Sequence, residues 1–281
     1  MIVSQLCVYP LKSARGIELA QTQITAKGLL GDREFMLVSG SGKFITQRQF
    51  PQLAKVQVEI IDRYITLQAE NEIAPLTFVP TLNGTLTEVE IWRDRLEAID
   101  QGDEVAQWFR QLLRLAPNRV CRLVRQSPHH VRFLKQKYPR GGKQPVGFAD
   151  NSPIMLTATA SLIELNQRIV EIHQQQSQAV AMNRFRPNIV VDTIEAFIED
   201  SWSLIQIGEI RFKVAKPCSR CIITTVDQQQ GVKTLLKEPL NTLGTFRQLS
   251  EQGVMFGVNM IPQNEGSIRV GDRLQVLETR N

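Results

Sequence analysis

Short segments in which apolar and polar residues alternate cover most of the first hundred residues. Alternation of this kind is the pattern of a strand that buries one of its two faces. Glycines and an Asn-Gly pair separate the segments and supply turns. Many short strands joined by tight turns are typical of a barrel or a sandwich. The predicted strands cover residues 3–9, 18–24, 33–38, 54–60, 64–68, 87–91 and 95–99.

Helical spacing first occurs between Asp103 and Leu113, where apolar residues recur three or four positions apart. That spacing places them on one stripe of a helix, and we expect Asp103 to be its N-cap. A second helix is predicted over residues 159–169 and a shorter one near residues 243–246.

Further strands are predicted in the second half of the chain, beside an irregular loop over residues 128–148. We place a soft domain boundary near residue 125, which gives one domain of residues 1–125 and another of residues 126–281. The predicted fold class is β-rich α+β, with a β-barrel-like N-terminal domain and peripheral helices. The strands of the second half cover residues 119–124, 154–156, 189–191, 210–214, 222–226, 255–260 and 274–277.

Composition and charge narrow the classes of function. The chain has 281 residues, 42% hydrophobic and 22% charged, which is ordinary for a soluble globular protein. Its net charge of +5 suits an anionic ligand, nucleic acid or a membrane surface. Only 6% of residues are aromatic, which counts against an RNA-binding module that stacks bases. The densest basic stretch, residues 119–143, is either a solvated face or a docking surface for an acidic partner.

Cysteine content and the N-terminus indicate the cellular location. Four cysteines are too few for a disulfide framework in a chain of this length. The N-terminus lacks the features of a signal peptide, and we expect no transmembrane segment because no long apolar run is present. The expected location is the cytoplasm.

The Pro-Cys-Ser-Arg-Cys segment ending at Cys221 has the most chemical content. Lys216 and Arg220 lie close to its thiols in sequence, and positive neighbours favour the thiolate that binds metal or attacks. A structural zinc site normally needs four ligands, and the chain has one Cys-x-x-Cys motif. A thioredoxin-type dithiol opens a helix, whereas a β-branched run follows Cys221. Zinc, a redox dithiol and two inert thiols are the alternatives to a thiolate that binds another metal.

Three further segments bring cations and hydrogen-bond donors to strand ends. The turn after the first strand contains Lys12 and Ser13, a Gly-Asp-Arg sequence places Arg33 before another strand, and Arg186 and Asn188 precede a third. Each alone is compatible with ordinary surface charge. Together with a soft thiolate, they favour a phosphorylated organic ligand that carries a thiophilic metal.

In chain order, these segments read YPLKSARG, GDR, RFRPN and PCSRC. Their sequences and order resemble the MOSC family, named for the C-terminal domain of molybdenum cofactor sulfurases, and most of all the mitochondrial amidoxime-reducing components and their bacterial relatives. The resemblance covers nearly the whole chain, up to a closing motif at residues 266–274. It implies an N-terminal β-barrel domain and a MOSC β-barrel domain, with the molybdenum cofactor (Mo-molybdopterin) bound at their interface.

The resemblance also implies roles for single residues. The second cysteine of the CSRC motif is the molybdenum ligand, so Cys221 takes that role and is the expected catalytic residue. Cys218 is not expected to bind metal. Relatives have an aromatic residue shortly after a Phe-Gly pair where this chain has Asn259, a departure that bears on the substrate pocket. The residues that match the family's cofactor-binding positions are Lys12, Ser13, Arg33, Asp150, Ser152, Arg186, Asn188, Ser219 and Arg220.

The implied function is a molybdenum-dependent reductase of N-hydroxylated small molecules, such as amidoximes or hydroxylamines. We expect neither a pyridoxal-phosphate desulfurase domain nor a ferredoxin domain in the chain, so electrons come from a separate donor. A ferredoxin, or a cytochrome b5-like protein with its reductase, fits that role, and no nucleic-acid partner is expected. The alternative function is a carrier that hands on sulfur or finished molybdenum cofactor through a persulfide on Cys221.

Overall fold

A computed structural model describes residues 1–70, 72–134, 144–174 and 179–280. Within those residues the backbone forms 21 strands and three α-helices, with short 3-10 helices between them. The strands are β1 (Ile2–Val8), β2 (Ile17–Leu19), β3 (Gln21–Thr25), β4 (Gly28–Leu29), β5 (Phe35–Ser39), β6 (Gln57–Ile61), β7 (Tyr64–Ala69), β8 (Ile73–Phe78), β9 (Leu86–Ile91), β10 (Asp94–Asp100), β11 (Cys121–Gln126), β12 (Arg132–Phe133), β13 (Pro145–Val146), β14 (Ile154–Ala158), β15 (Ile189–Asp192), β16 (Trp202–Ile207), β17 (Ile210–Ser219), β18 (Gln248–Leu249), β19 (Gly253–Pro262), β20 (Gly266–Arg269) and β21 (Leu274–Thr279). The α-helices are α1 (Asp103–Leu112), α2 (Thr159–His173) and α3 (Leu240–Phe246).

The largest sheet joins the N-terminal strand to the second half of the chain. Its order is β2-β1-β15-β14-β19-β17-β16-β21, and β18 pairs with β19 outside that path. β14 and β15 are parallel, whereas β1 is antiparallel to β15. The end of β1 and the starts of β15 and β14 therefore meet at the same edge. One buried cluster, which includes Trp202, Phe212 and Met260, packs against this sheet.

A second core lies in the first half of the chain. Strands β5, β11, β10 and β9 form one sheet, and β6, β7 and β8 form another. The apolar stripe of α1 packs into this core through Trp108 and Phe109. Trp108 donates its indole N–H to the carbonyl of Ala74 at 2.8 Å, so its polar atom is satisfied. A small sheet, β20-β3-β4, links the first thirty residues to the C-terminal region.

The β-rich α+β class is confirmed. Among the described strands of four or more residues, the sequence pattern did not predict β8, β16 and β20. β8 contains Pro75 and buries few of its side chains, so its alternation is weak. In β16 the pairing register shifts between Leu204 and Ile205, which interrupts the alternation. The boundary near residue 125 stays a prediction.

The predicted N-cap of α1 is wrong by one residue. Gly102 occupies the cap with a φ of 99°, a conformation that favours glycine, and Asp103 is the first helical residue. The Asp103 carboxylate instead accepts a hydrogen bond from Arg122 at 2.6 Å. Asp100 accepts the backbone N–H of Gly102 at 2.8 Å and so supplies the turn before the helix.

The predicted strand over residues 222–226 is also wrong, because Ile222–Thr225 forms a 3-10 helix. Two threonine hydroxyls donate to carbonyls three residues earlier, Thr224 to Cys221 at 3.0 Å and Thr225 to Ile222 at 2.8 Å. Such local bonds favour a tight turn over extended backbone despite the β-branched side chains. The backbone after Cys221 is therefore not extended, and it does not exclude a redox dithiol.

The basic stretch offers less free charge than its sequence suggests. Arg122 pairs with Asp100, Arg125 with Glu34, and Arg132 with Asp94, at distances of 2.6 to 2.9 Å. These arginines neutralise carboxylates of their own chain. The remaining basic residues of the stretch include Lys135, Lys137, Arg140 and Lys143, which lie outside the described residues.

Glu199 is a carboxylate buried in the C-terminal half. It is fully buried and accepts a hydrogen bond from the Ser161 hydroxyl at 2.9 Å. Burial raises the pKa of Glu199 to about 7, although the Ser161 hydrogen bond acts in the opposite direction. The folded state therefore keeps the proton up to near neutral pH, whereas the unfolded chain releases it near its ordinary pKa of 4.5.

We predict that the wild type loses free energy of unfolding as the pH rises because Glu199 ionises, and that Glu199→Gln removes this loss. In the wild type, the contribution of protonated Glu199 is complete below about pH 4.5 and is lost as the pH rises through 7. At pH 8 the variant should exceed the wild type by up to about 3 kcal/mol in the free energy of unfolding. Urea titrations at pH 5 and pH 8 measure this, with exposed Glu195→Gln as the control. An equal difference at the two pH values would contradict it.

Candidate functional site

The turn after β1 brings Lys12 and Ser13 to a cleft beside the large sheet. Ser13 has a left-handed backbone with a φ of 71°, which turns the chain sharply. Lys12 is only 6% exposed. Its ammonium donates to Asp150 Oδ1 at 2.6 Å and to the Phe148 carbonyl at 2.7 Å. A buried cation therefore fastens this turn to the segment that precedes β14.

Burial and pairing act in opposite directions on Lys12 and Asp150. Burial lowers the pKa of Lys12, and the charge of Asp150 partly restores it. Burial alone would raise the pKa of Asp150, but Lys12 and an N–H from Trp92 at 3.0 Å lower it to about 2. Asp150 is therefore ionised at neutral pH and offsets much of the charge that Lys12 brings to the cleft.

Arg33, in the turn before β5, has a left-handed backbone with a φ of 47°. Its guanidinium donates to Asp32 at 2.5 Å and to Asn188 Oδ1 at 3.1 Å. A further bond reaches the carbonyl of Arg186 at 3.3 Å. Asp32 also accepts the backbone N–H of Tyr9 at 2.9 Å, so one carboxylate orients both the arginine and the turn.

Asn188 connects three segments at the edge where β1, β14 and β15 meet. It is almost completely buried, and its Nδ2 donates to the Cys7 carbonyl at 3.2 Å. Its Oδ1 accepts the backbone N–H of Met155 at 3.2 Å as well as the Arg33 bond. Both ends of the amide are therefore used within the protein, and Asn188 acts here as a structural tie.

Tyr9 is a buried ring against which two guanidinium groups pack. The guanidinium carbons of Arg33 and Arg186 each lie 4.3 Å from its centroid. Burial lowers the pKa of Arg186 to about 10, and the neighbouring charge of Arg33 adds to that effect. Arg186 still carries its proton at neutral pH. Its side chain donates to the Ala14 carbonyl at 2.6 Å and, within the described residues, bonds no carboxylate.

The two cysteines of the Cys-x-x-Cys motif differ in exposure. β17 ends at Ser219, which leaves Cys218 buried and Cys221 exposed at the start of the 3-10 helix. Arg220 donates to Cys218 Sγ at 2.9 Å and to the Phe185 carbonyl at 2.7 Å. Arg220 thus holds the buried thiol. Cys7 and Cys121 are buried as well, so Cys221 has the one exposed thiol.

All ten predicted site residues line one cleft of about 140 Å³. They come from five separated parts of the chain, and Ser152 joins the set through a bond from its hydroxyl to the Met260 carbonyl at 2.8 Å. Their roles in binding stay predictions. The ten residues are Lys12, Ser13, Arg33, Asp150, Ser152, Arg186, Asn188, Ser219, Arg220 and Cys221.

Two buried polar atoms of the cleft residues have no hydrogen-bond partner among the described residues. They are Nδ2 of Asn259 and Nε of Arg220. Asn259 is 4% exposed and pairs with Met155 and Lys216 on the neighbouring strands. Buried donors without partners are costly, and a ligand rich in acceptors would satisfy them. This donor set fits an anionic, heteroatom-rich ligand such as a phosphorylated pterin.

A metal in this cleft would have few protein ligands. No group of three or more His, Cys, Asp or Glu side chains that could hold a metal occurs within residues 1–70, 72–134, 144–174 and 179–280. The structural zinc alternative therefore finds no support there. An exposed thiolate as a single protein ligand is compatible with a metal that an organic cofactor also holds.

Sequence comparisons identify the family. Residues 1–116 match the MOSC N-terminal beta barrel domain and residues 143–275 match the MOSC domain. Mitochondrial amidoxime-reducing component 1 of Mus musculus is 33% identical over 98% of this chain and 82% of its own length. The chain belongs to the MOSC family. Mitochondrial amidoxime reducing component 2 of Rattus norvegicus is 34% identical over 96% of the chain and 81% of its own length.

A comparison with solved structures and the absence of a membrane-spanning helix among the described residues do not change the assignment to the MOSC family. The alignment with the YUAD protein of Bacillus subtilis covers 97% of this chain and 93% of that protein, but a TM-score of 0.43 and an identity of 8% are too low to indicate a shared fold. Among the helices described here, none is long and apolar enough to cross a membrane. The relatives above are named as mitochondrial, and a cytoplasmic location for this MOSC protein stays a prediction.

Sequence reasoning missed cleft residues outside the four motifs. Thr46 and Met155 line the cleft, and Arg48 donates towards Cys221 Sγ at 4.0 Å. Arg48 lies in a polar segment with no motif, and its proximity to Cys221 depends on packing between distant parts of the chain. Asn259 stood out only as a departure from the family pattern.

We predict that Asn188→Ala lowers the free energy of unfolding by about 2–4 kcal/mol, because the Met155 N–H and the Cys7 carbonyl lose buried partners. Chemical denaturation of cofactor-free protein measures this. Ser203→Ala, which removes one exposed bond, is the control and should change stability by less than about 0.5 kcal/mol. A loss for Asn188→Ala no larger than that of the control would show that the tie is unimportant.

Proposed function

We propose that this MOSC protein is a molybdenum-cofactor-dependent reductase of N-hydroxylated small molecules. The observation that carries the proposal is the single exposed thiol, Cys221, at a cleft lined by half-buried arginines and by donors that have no partner among the described residues. Membership of the MOSC family and relatives named for amidoxime reduction support the same function. The same relatives favour a reductase over the carrier of sulfur or cofactor.

Cys221 is the residue proposed to bind the metal, since a soft, accessible thiolate suits molybdenum. When bound, the molybdenum cofactor supplies the two-electron chemistry that removes oxygen from an N–O group. The protein contributes a fixed position for the thiol. β17 ends at Ser219, two residues before Cys221, and the 3-10 helix that begins at Ile222 uses the Cys221 carbonyl as an acceptor.

Arg186 is the strongest candidate for the anionic part of the cofactor. Asp32 compensates Arg33, and Asp150 compensates Lys12. Arg186 has only carbonyl and amide acceptors within the described chain, so its buried charge is best balanced by a ligand. The shape of the cleft, more than net charge, would then position the ligand at the other predicted binding residues, which are Lys12, Ser13, Arg33 and Asn188.

The remaining proposed contacts come from two other segments that line the cleft. Asp150 and Ser152 precede β14, and Ser219 and Arg220 lie between the two cysteines. Each is placed by an internal hydrogen bond or by the end of a strand. We propose that these four residues enclose the cofactor on the side that carries the metal.

Electrons must reach the cleft from a separate protein under this proposal. A ferredoxin, or a cytochrome b5-like protein with its reductase, is the proposed donor. Arg122, Arg125 and Arg132 are paired internally and are poor candidates for docking it. A docking surface would have to use other parts of the molecule.

We predict that Cys221→Ser retains the fold but loses most bound molybdenum and at least about 100-fold in turnover, because an alkoxide is a harder and less available ligand than a thiolate. Elemental analysis and reduction of an amidoxime with a chemical electron donor measure both effects. Cys218→Ser, at a buried thiol, is the matched control and should be much milder. Full metal and activity in Cys221→Ser would refute the proposal. Sulfane sulfur on metal-free wild type would favour the carrier instead.

We predict that Arg186→Gln weakens retention of the cofactor about tenfold or more, since one charge-assisted contact to an anion is lost. Pterin fluorescence after extensive dialysis measures retention. Arg125→Gln removes an arginine that pairs with Glu34 and does not line the cleft, so retention should not change. Equal retention in the two variants would contradict the role given to Arg186.

A further inference from the structure

Three side chains form a cationic and aromatic cluster beside the cleft: Phe44, Arg48 and Trp92. The guanidinium carbon of Arg48 lies 4.9 Å from the Trp92 ring and 5.3 Å from the Phe44 ring, measured to the centroids. The two rings are 5.4 Å apart, so the cluster is compact.

Every member of the cluster reaches a different residue of the cleft. Arg48 donates towards Cys221 Sγ at 4.0 Å, and the Trp92 indole N–H donates to Asp150 at 3.0 Å. The Lys12 ammonium lies 5.5 Å from the Phe44 ring centroid. The cluster therefore borders the cleft at three points, one of which is the exposed thiol.

Trp92 presents a fixed aromatic surface to solvent. It is 51% exposed, and its φ of 58° lies in the left-handed region that a bulky side chain rarely adopts. It sits in the turn between β9 and β10, where a glycine or asparagine would be the relaxed choice. The bond to Asp150 and the packing of Arg48 hold the ring in place. Strain and exposure together at a cleft are typical of a binding surface.

Arg48 retains unused hydrogen-bonding capacity. No carboxylate or carbonyl of the described chain accepts from it, and its sulfur contact is at the limit of a hydrogen bond. This contrasts with Arg122 and Arg132, which are bound to carboxylates. A guanidinium that packs on a ring keeps its in-plane N–H donors available for an oxygen-bearing group.

We propose that Trp92 and Arg48 select the substrate: the indole contacts a flat aromatic group, and Arg48 donates to the oxygen carried by the substrate's nitrogen. The contact of Arg48 with Cys221 places the oxygen-bearing end towards the thiol, and the exposed ring of Trp92 accommodates the rest. The preferred class is then an aromatic N-hydroxylated compound over a small aliphatic one. This inference rests on the reductase function proposed above.

The test compares benzamidoxime with acetamidoxime, which share the reacting group and differ in the ring. In cofactor-loaded protein, Trp92→Leu should lower the ratio of kcat/KM values for the two compounds about tenfold, mainly through the KM for benzamidoxime. Trp92→Phe keeps a ring but loses the N–H to Asp150, and should retain most of the ratio. Arg48→Met should raise the KM of both compounds, because it removes the N–H groups that donate to the oxygen-bearing group present in both.

Binding without turnover gives an independent readout. Calorimetry of oxidised, cofactor-loaded protein with benzamidoxime and no electron donor should show about tenfold weaker binding for Trp92→Leu. Tyr64→Leu is the matched control, since Tyr64 is exposed and has Arg63 5.3 Å from its ring, but its hydroxyl bonds Arg63 rather than a residue of the cleft. Its binding and selectivity should equal those of the wild type.

The outcomes separate this inference from the proposed function. If wild type reduces both amidoximes and Trp92→Leu keeps the wild-type ratio, the inference is overturned while the reductase function stands. A raised KM for the protein electron donor with an unchanged ratio would assign the cluster to donor docking and also overturn it. If wild type binds benzamidoxime in a Trp92-dependent way but reduces neither compound, the reductase function fails while the binding surface stands.

Discussion

Two guanidinium groups packed against one buried tyrosine ring set the conditions for the whole cleft. Charge buried in this way is costly unless something offsets it, and each arginine meets that cost differently. Arg33 has the Asp32 carboxylate at 2.5 Å, whereas Arg186 has a backbone carbonyl and the Tyr9 ring. The result is a positively charged site whose shape is fixed by the protein, and under the proposed function the anionic cofactor balances the remaining charge.

The fold holds that arrangement by bringing remote segments to one sheet edge. The turn after β1 and the loop before β15 become neighbours because β1 and β15 pair, and β14 follows as the parallel neighbour of β15. Asn188 then fastens the three segments with its single amide. The Cys221 thiol follows β17, which is separated from β14 by β19 in the strand order. No local stretch of the chain contains the site, and its integrity depends on the whole sheet.

The parts of the site that could be predicted from sequence lie in short continuous motifs. Lys12, Arg33 and Arg186 each lie in a turn next to a strand, so their residue types and positions predict an anion site. Arg48 and Trp92 carry no such signal, since only the packing of distant turns brings them to Cys221 and Asp150. Local hydrogen bonds explain the error after Cys221, where threonine hydroxyls override the strand preference of β-branched residues.

The direct test of this account is where the metal binds in cofactor-replete wild-type protein. X-ray absorption at the molybdenum edge, compared between untreated protein and protein whose exposed thiol was alkylated before cofactor loading, reports the sulfur ligands. The account predicts one protein sulfur beyond those of the pterin in the untreated sample, and its loss after alkylation of Cys221. Identical sulfur coordination in the two samples, with metal bound in both, would contradict the central claim.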